Sequence, residues 1–131
     1  QPAHLIDMMA TCVDVSGATY PEKRNSHALC PMEGKSLAAA CSENAPIDRE
    51  AIYWEHEGNR AIRVGDWKLV AKGEKGPWEL YNIADDRAEL NDLAASEPER
   101  VKKMASMWQA WAERADVLPL GAWRGNFKKP K

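Results

Sequence analysis

An α+β fold is expected from three observations. Between Ala51 and Ile83, four short segments rich in β-branched and aromatic residues alternate with turn chemistry. From Val101 to Ala115, apolar residues recur at three- and four-residue steps. The strand segments follow one another without a helix-length insertion, so no βαβ spacing appears and an antiparallel meander is favoured. The expected architecture is a four-stranded antiparallel sheet packed against a long C-terminal helix, preceded by an N-terminal helix and loops. Residues 1–50 form the helix and loops, 51–116 the sheet and helix, and 117–131 a surface tail.

The opening stretch places Leu5, Met8, Met9, Cys12 and Val13 on one helical stripe, with Gly17 as its stop. Residues 18–35 contain Pro21, Asn25, Pro31 and Gly34 among few apolar residues and read as loop. Ser36 is placed to cap a short helix through Cys41, and the polar stretch 42–50, with Pro46, reads as a second loop. Ala51–His56 reads as a strand, Glu57–Asn59 as a turn and Arg60–Val64 as the returning strand. Gly65–Asp66 turns again into Trp67–Ala71, where Trp67, Leu69 and Ala71 share one face. Lys72–Pro77 is the third turn and Trp78–Ile83 the fourth strand. The run Ser96-Glu-Pro-Glu99 predicts a capping box, with Ser96 as N-cap. Val101, Met104, Trp108, Trp111 and Ala115 then form an apolar stripe that must lie on the sheet.

The chain has 131 residues, 44% hydrophobic and 29% charged, with a formal net charge of −2. That balance gives no general attraction to nucleic acid or to an anionic membrane, and no apolar run approaches the roughly 20 residues of a membrane-spanning helix. Gln1 is not an initiator methionine, so a processed chain or a fragment is expected. Cys12, Cys30 and Cys41 form no CxxC pair. Unpaired or buried thiols are expected, with one Cys30–Cys41 or Cys12–Cys30 bridge left open for an oxidising compartment.

Three ordered segments resemble the sulfatase family. His4–Thr11 (HLIDMMAT), with Gly17–Pro21 (GATYP), is similar to the family's late helix of pattern D-hydrophobic-hydrophobic-P/A-T. Met32–Leu37 (MEGKSL) is similar to the D/E-G-x-S-L segment that follows it. Glu55–Leu69, Trp78–Asp86 and Glu89–Leu93 resemble the patterns R-x-G-x-W/Y-K and E-L-Y-x-L-x-x-D-x-x-E-x-x-N-L of the arylsulfatase C-terminal subdomain. The resemblance implies a small subdomain with a four-stranded antiparallel sheet and a long helix, beside a large catalytic domain. It also implies catalysis by a formylglycine made within a C/S-x-P-x-R motif, assisted by calcium, and a parent that works outside the cytoplasm, periplasmic or secreted. No cysteine or serine here has that motif: Cys12 precedes Val-Asp-Val, Cys30 precedes Pro-Met-Glu and Cys41 precedes Ser-Glu-Asn. No catalytic residue and no metal ligand is therefore assigned, and calcium and formylglycine are expected in the missing N-terminal catalytic domain, which becomes this chain's expected partner.

The turn Glu55-His-Glu-Gly-Asn-Arg60 is the one candidate site. In one reading His56, Asn59 and Arg60 contact the sulfated substrate at the pocket rim. In the other it is a polar strand end, with Arg60 paired to Glu55 or Glu57. Adjacent strand residues point to opposite sides, so Glu55, His56 and Glu57 cannot converge on one metal ion. Trp67, Trp78, Trp108 and Trp111 are expected in the sheet–helix core, and Asp85, Asp86, Arg87 and Glu89 in a solvated turn, with Asn91 and Asp92 capping locally. The leading reading is a C-terminal piece of a sulfuric-ester hydrolase, inactive alone. The alternatives are a free-standing binding module for a glycan or protein, marked by exposed tryptophans, and self-association through exposed apolar surface.

Overall fold

The computed structural model describes residues 1–118 and 120. The chain divides into two compact units, Gln1–Arg49 and the residues from Glu50 onward.

In the first unit, helix α1 (Asp7–Ser16) stops at Gly17, whose φ of 67° lies in the left-handed region. The inward side of α1 differs from the expected apolar stripe. Asp7 and Ala10 are buried, whereas Leu5 is 83% exposed and Met8 and Met9 are each 58% exposed. A buried carboxylate must be satisfied, and this requirement sets the helix orientation. Asp7 accepts the amides of His4 at 2.7 Å and Lys35 at 2.9 Å, and the guanidinium of Arg49. One turn on, the Thr11 hydroxyl donates to the Asp7 carbonyl at 2.7 Å and accepts the Leu37 amide at 2.9 Å. These polar bonds clasp segment 35–37 to α1, and the apolar stripe is left outside.

Residues 18–35, expected as loop, contain a small hairpin of β1 (Lys23–Arg24) and β2 (His27–Ala28). Its two central residues, Asn25 and Ser26, both adopt positive φ, as a two-residue type I′ turn requires. Helix α2 (Ala38–Glu43) starts after Leu37, whose side chain makes no cap. Ser36, one position earlier, accepts the Ala38 amide at 3.2 Å and donates to Asp14 at 2.5 Å. Cys12, Cys30 and Cys41 are free and exposed.

The second unit has the expected α+β arrangement. Strands β3 (Ile52–His56), β4 (Asn59–Val64), β5 (Trp67–Ala71) and β6 (Glu79–Asn82) form one antiparallel sheet in sequence order. The β3–β4 turn is Glu57-Gly58, both at positive φ; glycine takes that geometry without a Cβ penalty. This two-residue turn pairs His56 with Asn59, Glu55 with Arg60 and Trp54 with Ala61, which fixes the face of every residue on both strands. Helix α3 (Pro98–Arg114) lies across one face, where Ile62, Leu69, Leu80, Met104, Trp108 and Ala112 form the core. Trp108 is 1% exposed, contacts Trp78 and Trp111 at ring distances of 6.0 Å, and donates its indole N–H to the Trp54 carbonyl at 3.0 Å. Trp111 is half-buried and stacks on Tyr53 at 5.2 Å.

The expected capping box at α3 does not form. The helix begins at Pro98, and the preceding Glu97 makes no side-chain cap. Ser96 is used by the turn before it: its hydroxyl donates to the Leu93 carbonyl at 3.0 Å, which also accepts the amides of Ser96 and Glu97. Asp92 supplies the local capping instead, accepting the amides of Leu80 and Ala94 at 2.9 Å each. At the other end Ala115 has passed the helix terminus and is exposed, and Ala112, four residues after Trp108, takes the buried place. Val117, Leu118 and Leu120 pack against the core rather than along the surface. The remainder of the expected tail lies outside the described residues.

Replacing Trp108 by alanine should cost about 3–5 kcal/mol of stability, the usual range for a fully buried aromatic residue. Chemical denaturation of the purified chain measures it, and a change below about 1 kcal/mol would contradict the packing. Asp7 gives a pH-dependent test. Burial alone would raise its pKa, but the bonds from Arg49, Lys35 and His4 outweigh that and hold it below the ordinary carboxylate value. A depressed folded pKa means the contribution is present above the unfolded value of about 3.9 and is lost as pH falls through the folded one. The Tm difference between wild type and Asp7→Asn should therefore be constant above about pH 5 and close as pH drops below about 4. A difference that does not change with pH would refute the clasp.

Candidate functional site

Helix α3 covers only one face of the sheet. The sequence neighbours of the core positions alternate to the other face, where Trp54 and His56 of β3 lie beside Ala61 and Arg63 of β4. Lys68 and Val70 of β5 continue this face to Tyr81 and Glu79 of β6. The face bounds a concavity of about 730 Å³, also bordered by Asn59, Lys72, Ile83 and Glu89. Its floor is apolar at Ala61 and Val70, and the Trp54 side of the wall keeps an indole 36% exposed.

The charges on this face are arranged unequally. Lys68 is paired with Glu89. Glu79 accepts the Tyr81 hydroxyl at 2.9 Å, and burial together with Glu79 pushes the Tyr81 pKa up to about 12. The Arg63 Nε donates to the Gly65 carbonyl at 2.8 Å, which engages one of its five N–H groups. Lys72 stands exposed at the end of β5.

The three residues singled out from sequence fall in two places. His56 and Asn59 face each other across the β3–β4 turn, and both are exposed. The Asn59 amide is committed on both sides, donating to the His56 carbonyl at 2.9 Å and accepting the Gly73 amide at 2.9 Å. Arg60 borders the concavity, but its guanidinium lies over the Trp78 ring, 4.6 Å from the centroid, and within 5.8 Å of the Trp108 ring. It donates to the Gly76 carbonyl at 2.9 Å, and burial lowers its pKa. That carbonyl is placed by a tight loop: a Cβ on Gly76 would sit 2.0 Å from the Lys72 carbonyl oxygen, so only glycine fits. Glu55 accepts the Gly58 amide at 2.7 Å.

Trp54, Arg63, Lys68 and Lys72 were not among the sequence candidates. Their signal is the period of two within each strand, which becomes a shared face only when the two-residue turns fix the register. No cysteine, serine or threonine lines the concavity. Among the described residues, no three His, Cys, Asp or Glu side chains converge as a metal ion would need, and no helix is long and apolar enough to cross a membrane.

No established family profile matches the chain. A protein described as a sulfatase from Formosa agariphila is 26% identical over 149 residues, covering 98% of this chain and 26% of its own length. The chain thus spans about a quarter of the length of this curated relative. Among solved structures, Ps i-CgsB is similar with a TM-score of 0.67 at 23% identity, over 98% of this chain and 31% of its own; it is also known in complex with k-i-k-neocarrahexaose. BT4656, solved with its substrate D-glucosamine-2-N,6-O-disulfate, has a TM-score of 0.62 at 21% identity, over 87% of this chain and 24% of its own. Over nearly its whole length the chain is thus similar to part of a protein described as a sulfatase, and it shares the fold of part of these solved structures.

Proposed function

We propose that the protein containing this subdomain hydrolyses sulfate esters, and that the subdomain is inactive alone, completing the fold and one edge of the substrate pocket. The observation that supports this most is the pairing of two coverages: a sulfatase matches 98% of the chain, while the chain accounts for 26% of that sulfatase. In sulfatases the rest of the protein would hold calcium and a formylglycine, which would supply charge neutralisation and a nucleophile for sulfate-ester cleavage. The residues described here do not fit either group, since no cysteine or serine has the maturation motif and no acidic cluster converges. The subdomain's own role is then to bind and orient. Its β3–β4 turn is held rigid by the Asn59 bonds to both neighbouring segments, and it presents His56 beside the concavity. Arg60 supports this turn from the helix side through Trp78 and Gly76. The saccharides bound by BT4656 and Ps i-CgsB favour a sulfated sugar as the substrate class.

The isolated chain should show no turnover of an aryl sulfate, with or without calcium. Calcium-dependent turnover by the purified chain that disappears on mutating a cysteine would overturn the proposal. In the full-length protein, His56→Ala and Asn59→Ala should each lower kcat/KM for the natural sulfated substrate about tenfold or more, since losing a polar contact costs roughly 1–3 kcal/mol. A small aryl sulfate should be hydrolysed with less change. Lost stability with unaltered substrate preference would reduce the turn to a structural corner.

A further inference from the structure

We infer that Arg60 is a positioning residue rather than a substrate contact: it ties loop 72–77 to the β3–β4 turn, and the two joined tips fix where His56 stands. The tie rests on contacts within the second unit; its effect on turnover rests on the proposed reading of the turn as a pocket edge.

Two of the sheet's connections meet at one end. The register pairs His56 with Asn59 and Arg60 with Ala71, so the β3–β4 turn and the loop after β5 leave the sheet side by side. Three consecutive residues of the turn each meet a different point of that loop. Gly58 is buried, and a Cβ there would sit 3.0 Å from the Glu74 Cγ and 3.4 Å from the Glu74 amide nitrogen. The Asn59 side chain accepts the Gly73 amide at 2.9 Å, and Arg60 donates to the Gly76 carbonyl at 2.9 Å. Loop 72–77 lies between β5 and β6 and has no strand of its own, so contacts with the turn help to fix it. The Asn59 side chain also donates to the His56 carbonyl at 2.9 Å, which carries the constraint to His56.

Packing alone does not account for an arginine at position 60. Its guanidinium lies 4.6 Å from the Trp78 centroid, and its Nε is buried with no hydrogen-bond partner among the described residues. A buried N–H without an acceptor is destabilising, and an unbranched apolar side chain would cover the same ring without that cost. Such a side chain could not donate to the Gly76 carbonyl. A second arginine supplies the contrast. Arg100 lies over Trp67, 3.9 Å from its centroid, at the opposite end of the sheet beside the β4–β5 turn. Its Nε donates to Glu97, three residues earlier, at 3.3 Å. The Arg100 pair joins helix to sheet; the Arg60 pair reaches a loop as well. Removing the arginine from each pair therefore separates packing from positioning.

Amide hydrogen exchange in the purified chain reads the tie, and kinetics of the full-length protein read its consequence. Arg60→Met keeps an unbranched side chain over Trp78 but donates nothing. It should speed exchange of the Gly73 amide about tenfold or more while the β5 amides stay protected. In the full-length protein it should lower kcat/KM for the natural sulfated substrate about tenfold, since small displacements of a positioned group are costly. A small aryl sulfate should be affected less. Arg60→Lys, which can still donate to the Gly76 carbonyl, should recover most of both losses. In a His56→Ala background, Arg60→Met should lower kcat/KM by less than about twofold more, because a residue acting through another is not additive with it. Arg100→Met should lower Tm and leave both the Gly73 exchange and kcat/KM unaltered. Circular dichroism establishes that each variant folds; Arg60→Gln, too short to reach Gly76, carries the same expectations should Arg60→Met not fold. Unchanged exchange at Gly73 would overturn the tie. Faster exchange with unaltered kcat/KM, or the full Arg60→Met loss on top of His56→Ala, would overturn the positioning role. If His56→Ala itself leaves kcat/KM unchanged, the pocket-edge reading fails and the positioning role with it, whereas the tie is judged by exchange alone.

Discussion

The second unit depends on how Trp108 is buried. Its ring is the largest fully buried side chain among the described residues, and its N–H cannot be left without an acceptor inside the core. The Trp54 carbonyl supplies that acceptor, so helix and sheet are joined by a directed bond as well as by apolar contact. Trp78 and Trp111 pack around the same ring, and Arg60 closes the cluster by laying its guanidinium over Trp78. This commits one face of the sheet to α3. The opposite face, with Trp54, Arg63 and Lys72, borders the concavity. The carbonyl and the side chain of Trp54 therefore serve two purposes: one anchors the helix and the other lines the concavity.

The first unit is organised by a different force. Its helix buries Asp7 and Ala10 and leaves its larger apolar residues in solvent. Apolar burial would favour the reverse arrangement, but segment 35–37 offers backbone amides rather than apolar surface to α1. Asp7 and Thr11 answer those amides, which is a physical reason for an aspartate and a threonine at that spacing on one helix. Leu5, Met8 and Met9 therefore form an apolar stripe that stays exposed.

The architecture of the sheet was legible because each strand has a period of two and each connection has turn chemistry of its own. Glu57-Gly58 and Gly65-Asp66 sit where the turns form. The helix was legible from its apolar stripe, but its start was not, because Ser96 satisfies the capping pattern and is bound instead to Leu93. A sequence pattern shows which bonds a serine can make, and the preceding turn decides which one it does make. The orientation of α1 was hidden for a related reason. Periodicity ranks residues by hydrophobicity and cannot show that a single carboxylate has three donors waiting, two of them in distant segments. The Asn25-Ser26 hairpin escaped notice because two-residue strands leave no periodic trace.

The candidate site shows the same limit in a more consequential form. His56, Asn59 and Arg60 are close in sequence, and the polar run 55–60 drew attention to them together. Pleating separates them, sending the Arg60 side chain toward α3 and leaving His56 on the other side of the sheet. The residues that do share a face with His56 come from all four strands, from Trp54 to Tyr81. None is conspicuous alone: an arginine, two lysines and a tryptophan in strands read as ordinary surface or core. The register aligns them along one concavity with an apolar floor, where Glu89 is paired with Lys68 and Glu79 accepts the Tyr81 hydroxyl.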